Sequence, residues 1–301
     1  MTRLRIGTRR SPLAIAQADE VRALLLGFGV ETQLVPMTTS GDEGASASAS
    51  APQGLKGLWI DTILEALERE VIDLAVHSAK DLPAEGGDGF VIAAVPKRLD
   101  ASDVLVTREL TLPAAATIGT SSLRRRAQLL AVDPSRTVVE LRGNVDTRLR
   151  RVADGDVDAA VLAAAGLARL GVKPEHARRL GIDEMVPAPG QGCLALQARD
   201  DDEETIAVLA AVDHVPSHVA LDAERSLVWR LGGGCSLPLG AHAIVDGTGR
   251  VAMVALVGSA DGTRTARASV DGETADDAAS RAAKALIAQG AEAILAEASR
   301  A

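Results

Sequence analysis

The sequence predicts an α/β protein built from two similar lobes, followed by a small α+β domain, and three observations carry that prediction. Strand-like apolar runs alternate with segments of helical apolar spacing through most of the chain. The grammar is then repeated: "RIGTRRS" from Arg5 is echoed by "TIGTSSLRR" from Thr117, and "VIDLAVHSAKDL" by "DVDAAVLAAAGL", so Asp73 matches Asp158 and Val76 matches Val161. Beyond residue 200 the alternation stops, and helices, three short strands and a closing helix follow. A length of 301 residues suits two or three units, each with its own core.

The elements follow in order. "RLRIGT" is a strand, and "PLAIAQADEVRALLLGF" a helix with Pro12 in its first turn, where a missing N–H costs nothing. "TQLVPMT" is a second strand. The small-residue stretch "SGDEGASASASAPQGLKG" has little to bury and is expected to be a mobile loop. "LWIDTILEALEREV" is a helix and "DLAVHS" a buried strand, and the second lobe repeats this order. In the last domain, helices over 202–212 and 218–231 precede the loop "GGGCSLPLG". Asp-Gly and Gly-Thr turns then separate three strands, and a single helix over 276–298 covers them. Two lobes of one strand-helix order suggest a ligand in the crevice at the carboxyl ends of their strands.

Charge narrows the function. Formal net charge is −9, and the chain holds two Trp, two Phe and no Tyr, which argues against a nucleic-acid groove. No run approaches the ~18 apolar residues of a membrane span. The basic N-terminal stretch is too interrupted for a signal peptide, so a soluble, cytoplasmic protein without membrane or nucleic-acid partners is expected.

Against this acidic background, arginines stand where strands hand over to helices. In "ATIGTSSLRRRAQLL" and "TVVELRGNVDTRLRRV", Arg124, Arg125, Arg142 and Arg148 sit near helix N-termini, where free backbone N–H groups and the helix dipole favour an anion. Guanidinium binds carboxylate in a two-pronged fork, so the set implies a ligand with several anionic arms; the alternative is a solvated helix face. Cys193 precedes the strand-like "LALQAR" and reads as a core residue. Cys235 follows three glycines and is a candidate nucleophile, or an ordinary loop cysteine. In "VHSAKDLP", Asp81 could stabilise a developing cation beside Lys80, or simply cap a turn, and His77 reads as a supporting residue. No zinc-ligand, Walker or dinucleotide-binding spacing occurs, so no metal is expected.

The segments "IGTRRSPLA", "LKGLW", "VHSAKDLP", "GTSSLRR", "LRGNVDTRL", "AAGLARLG", "PAPGQG" and "GGGCSLPLG", in this order along almost the whole chain, resemble the porphobilinogen deaminase family. The resemblance implies two lobes like periplasmic binding proteins, with mixed sheets, at residues 1–95 with 190–209 and at 96–189, and a C-terminal domain at 210–301. It implies a transferase that deaminates four porphobilinogen units and joins them head to tail on a dipyrromethane cofactor. The tetrapyrrole hydroxymethylbilane is then released by hydrolysis. By resemblance, Cys235 holds the cofactor through a thioether and Asp81 is the catalytic carboxylate. Lys80, Asp81, Thr120, Ser121, Ser122, Arg124, Arg125, Arg148 and Gly192 would bind the cofactor, and Arg9, Ser11, Lys56, Arg142, Arg169 and Gln191 the substrate. A monomer is expected.

Some positions depart from the family pattern. Leu55 and Trp59 flank the loop lysine Lys56 where glycine and phenylalanine are common, Pro52 replaces a lysine, Ala79 replaces methionine and Asp146 replaces glycine. Two rivals remain at this stage. A non-catalytic two-lobed module could bind a polycarboxylate, and a cysteine acyltransferase would need a histidine near Cys235 in space.

Overall fold

The protein is described by a computed structural model covering residues 3–37, 57–84, 87–232 and 237–300. Strand β1 (Leu4–Arg9) leads into helix α1 (Pro12–Gly27), followed by β2 (Thr32–Met37), helix α2 (Gly57–Glu68), β3 (Leu74–Ser78) and β4 (Phe90–Ala94). The chain then crosses to β5 (Asp103–Thr107), β6 (Thr117–Gly119), helix α3 (Leu123–Val132), β7 (Thr137–Val139), helix α4 (Val145–Ala153), β8 (Ala159–Ala163), helix α5 (Ala164–Arg169) and β9 (Ala177–Arg179). It returns as β10 (Leu194–Arg199).

Two mixed five-stranded sheets result, ordered β2-β1-β3-β10-β4 and β7-β6-β8-β5-β9. They are the same sheet twice. In each, the first strand lies parallel to the third, with Ile6 beside Leu74 and Ile118 beside Ala159, and the strand entered from the other lobe runs antiparallel. The sequence repeat has a physical basis here. Asp73 accepts the Arg5 backbone N–H at 2.7 Å, and its counterpart Asp158 accepts that of Thr117 at 2.9 Å, so the same carboxylate ties the same pair of strands in both lobes. Strands β4, β5 and β9, which the sequence pattern did not single out, complete the two sheets.

Helix α1 begins where predicted. The Ser11 hydroxyl accepts the Ala14 N–H, Pro12 occupies the first turn, and Gln17, Ala18, Val21 and Leu25 face the first sheet. Its core joins Ile6, Leu74, Val76, Leu194 and Leu196, so β10 is packed with the N-terminal strands despite its distance in sequence.

After helices α6 (Glu203–Leu209) and α7 (Val215–Arg230), strands β11 (Leu239–Val245), β12 (Val251–Gly258) and β13 (Thr265–Gly272) form an antiparallel meander. The predicted closing helix is two: α8 (Ala275–Ala288) and α9 (Ala291–Ala298), separated at Gly290, whose φ of +89° cannot continue a right-handed helix. Helix α8 presents alanines to the sheet, and a Cβ on Gly272 would lie 2.4 Å from the Ala278 nitrogen, so the strand and helix can approach only without one. Among the described residues no single helix is long and apolar enough to cross a membrane. The Ala/Ser-rich loop, Lys56 and Cys235 lie outside the described residues.

Candidate active site

The predicted residues gather at the carboxyl ends of strands. Arg9 closes β1; Lys80 and Asp81 form a 3-10 turn directly after β3; Thr120, Ser121 and Ser122 join β6 to α3. The local chemistry explains the turn before α3. Thr120 Oγ1 accepts the Ser122 N–H at 3.2 Å, and Ser122 in turn caps the helix by accepting the N–H of Arg125. Arg124 and Arg125 are thereby set in the first turn of α3, where both are buried.

Their nearest anion belongs to the protein itself. Arg124 Nη1 donates to Asp103 Oδ2 at 2.7 Å, and Arg125 grips Oδ1 through Nε at 3.2 Å and Nη2 at 2.7 Å. Gln191 Nε2 adds a fourth donor to Oδ1 at 2.9 Å. Burial opposes ionisation of Asp103, yet Arg124 and Arg125 beside it hold its carboxyl well below the usual carboxylate range. Two cations facing one buried carboxylate leave an excess of positive charge. The Arg124 Nε hydrogen and the Gln191 Oε1 atom are buried with no hydrogen-bond partner among the described residues.

Lys80, Asp81 and Arg148 share this field. Burial, opposed by Asp81 and reinforced by Arg125, brings the Lys80 ammonium down to about 8. Burial and Arg125 lower Arg148 to about 10, against the attraction of Asp81, and its Nε donates to the Gly143 carbonyl at 2.8 Å. Lys80 and Arg148 thus both face Asp81, a carboxylate placed to stabilise positive charge on a bound group. Burial takes His77 down to about 4, keeping it neutral beneath the turn, although a Gln197 hydrogen bond and Asp81 oppose the shift.

Other predicted residues are placed differently. Arg142 is exposed and paired with Glu140 at 2.6 Å, and Ser121 is exposed. Ser11 serves as the α1 cap. Arg169 is turned to Glu20 at 2.7 Å and to the Gly192 carbonyl at 3.2 Å. Gly192 has φ of +91°, and a Cβ there would lie 2.5 Å from the Leu99 oxygen, which is why the returning crossover carries glycine. Cys193 is buried in the core, which pushes its thiol up to about 12, as a structural cysteine requires.

Sequence reasoning missed Asp103, Gln17, Arg98 and Glu224. Gln17 Nε2 donates to Ser78 Oγ at 2.6 Å, one residue before the Ala79–Asp81 turn. Glu224, fully buried on α7, accepts Arg98 Nη1 at 2.6 Å, the Gly190 N–H at 2.6 Å and the Ala243 N–H at 2.7 Å, tying the C-terminal domain to both crossovers between the sheets. For Asp103 and Glu224 the local signal was an acidic residue at the head of an apolar strand or within a helix's apolar face; Gln17 and Arg98 carried none.

Known proteins resemble this chain along almost its whole length. The profile described as "Porphobilinogen deaminase, dipyromethane cofactor binding domain" matches residues 4–207, and "Porphobilinogen deaminase, C-terminal domain" matches residues 219–288. A protein named porphobilinogen deaminase from Brevibacillus brevis is 43% identical, covering 99% of this chain and 98% of its own. One of the same name from Acidithiobacillus ferrooxidans is 44% identical, covering 97% of each. Among solved structures, a periplasmic substrate-binding protein of an ABC transporter from Coxiella burnetii aligns at 16% identity with a TM-score of 0.42, over 74% of this chain and 96% of its own. With two domain profiles matched in order and relatives above 40% identity over nearly the full length, the chain belongs to the porphobilinogen deaminase family.

Proposed function

We propose that the cluster of Lys80, Asp81, Arg124, Arg125 and Arg148 is the site at which this transferase, a hydroxymethylbilane synthase, joins porphobilinogen units. The single observation that carries the reading is that Lys80 and Arg148 face Asp81 beside the buried Arg124–Asp103–Arg125 cluster, at the carboxyl ends of β3 and β6. Each pyrrole ring of the substrate bears an acetate and a propionate, so a growing product needs a row of cations.

The family's dipyrromethane cofactor supplies the primer on which four units are added before the tetrapyrrole is released by hydrolysis. The residues present fit such a group: the buried Arg124 Nε donor lacks a partner among the described residues, and Lys80, Thr120, Ser121, Ser122 and Arg125 stand on the turns after β3 and β6, with Arg148 and Gly192 as the family's further cofactor positions. Cys235 would hold it through a thioether. Asp81 would lower the energy of positive charge developing on pyrrole nitrogen, and the Lys80 ammonium would hold a carboxylate. Arg9, Ser11, Lys56, Arg142, Arg169 and Gln191 would receive the incoming unit. Arg142 would have to leave Glu140 to do so.

The sheet contents support a division into residues 1–95 with 190–209, 96–189, and 210–301. A cytoplasmic monomer is part of the proposal, and the net charge of −9 with few aromatic residues supports a site that takes a small anion and not a nucleic acid. An intact mass tests the reading: the purified protein should exceed its sequence mass by two linked pyrrole units, and Cys235→Ser should abolish the increment while Cys193→Ser keeps it. Active protein with the bare sequence mass would refute it.

A further inference from the structure

Arg169 closes α5 in the second lobe, but its guanidinium is committed to the first. Nε donates to Glu20 Oε2 on α1 at 2.7 Å, with the arginine side chain 5% exposed and the glutamate 28%. Beside the pair, Leu13 in the first turn of α1 packs toward Gly166, where an added Cβ would lie 3.9 Å from Leu13 Cδ2. Nη2 of Arg169 reaches the Gly192 carbonyl at 3.2 Å, and that same carbonyl accepts the Leu99 N–H at 3.3 Å. The outgoing crossover, the returning crossover and the ion pair therefore meet at one junction.

Two consequences follow from this geometry. A pair shielded this far from water holds more firmly than a surface pair, because less solvent screens it. A carboxylate already on Nε also restricts any second carboxylate to the remaining guanidinium edge, unless Glu20 gives way. Glu20 lies three residues beyond Gln17, on the face of α1 that reaches Ser78 before the Ala79–Asp81 turn, so α1 links Arg169 to the segment carrying Lys80 and Asp81.

We propose that Glu20 is a positioning residue: through Arg169 it latches the two lobes at the spacing that suits a short pyrrole chain, and the latch opens as added rings bring competing carboxylates and need a wider cleft. The inference rests on the polymerisation reading above. It is tested by mixing the primed holoenzyme with porphobilinogen, quenching at timed intervals, and resolving intact masses together with hydrogen exchange over residues 12–27 and 164–170. In the parent, protection of both segments falls as species with three and four added rings accumulate. Glu20→Ala starts with low protection and slows the first additions roughly twofold to fivefold, the scale of one partly screened ion pair, without slowing the last. Glu20→Gln, which keeps an oxygen acceptor but no charge, falls between the two. Protection that stays flat along the parent's ladder, equal slowing of every addition, or an unchanged ladder in both variants would overturn the latch and leave polymerisation standing. Absence of any ladder in the parent would take both readings down.

Discussion

Replacing Asp103 with asparagine is the sharpest test of how the site is held together. Asp103 is fully buried and accepts hydrogen bonds from Arg124, Arg125 and Gln191, at 2.7 Å for the closest contact to each arginine. Asp103→Asn keeps the size of the side chain but leaves two buried guanidinium groups with no counter-charge, a change that costs about 3–5 kcal/mol. Against a total stability on the order of 5–15 kcal/mol, that is a large fraction. With a urea dependence of about 3 kcal/mol/M, the unfolding midpoint should fall by about 1–1.7 M. Hydrogen exchange should localise the loss to α3 and its neighbours β6 and β8. The pH dependence follows from the sign of the shift. Because the folded carboxyl is held below its unfolded value of about 3.9, its contribution is complete above that pH and is lost as pH falls through the folded pKa. The gap between parent and variant should thus be constant from about pH 8 to 5 and narrow only below about pH 4. A difference under about 1 kcal/mol at neutral pH, or one that closes by about pH 6, would refute the account of Asp103 as the anchor of both arginines.

Three further outcomes are expected. Asp81→Asn should lower kcat by roughly two to three orders of magnitude with an unchanged circular dichroism spectrum, the scale for removing a preorganised electrostatic group, and turnover equal to the parent's would make Asp81 only a turn residue. Because burial brings the Lys80 ammonium to about 8, KM for porphobilinogen should rise as pH passes that value, and Lys80→Arg, which does not titrate there, should flatten the profile; a parent KM indifferent to pH between 7 and 9 would exclude Lys80 from carboxylate binding. Gly192→Ala forces a side chain into a left-handed backbone position against the Leu99 oxygen, so thermal unfolding should report a loss of about 1–3 kcal/mol or more, and a melting temperature equal to the parent's would contradict the tight crossover.

What the sequence determined by itself is what depends on neighbours along the chain. Helix starts at Ser11 and Ser122, the strand-to-helix turns and the duplicated lobe were legible because capping and apolar periodicity act over a few residues. The repeat even exposed Asp73 and Asp158 as equivalents before their matching strand ties were visible. Motif order along the chain likewise pointed to Lys80, Asp81, Arg124, Arg125 and Arg148. Tertiary structure decided what each charge faces. Nothing local says that Arg124 and Arg125 meet Asp103, that Arg142 turns outward to Glu140, that Arg169 crosses to Glu20, or that β10 returns to the first sheet. These pairings join residues up to 149 positions apart, as for Arg169 and Glu20. The physical reason is that a buried charge is tolerated only where the whole fold brings a partner to it, so its environment belongs to the packed chain and not to the segment that carries it.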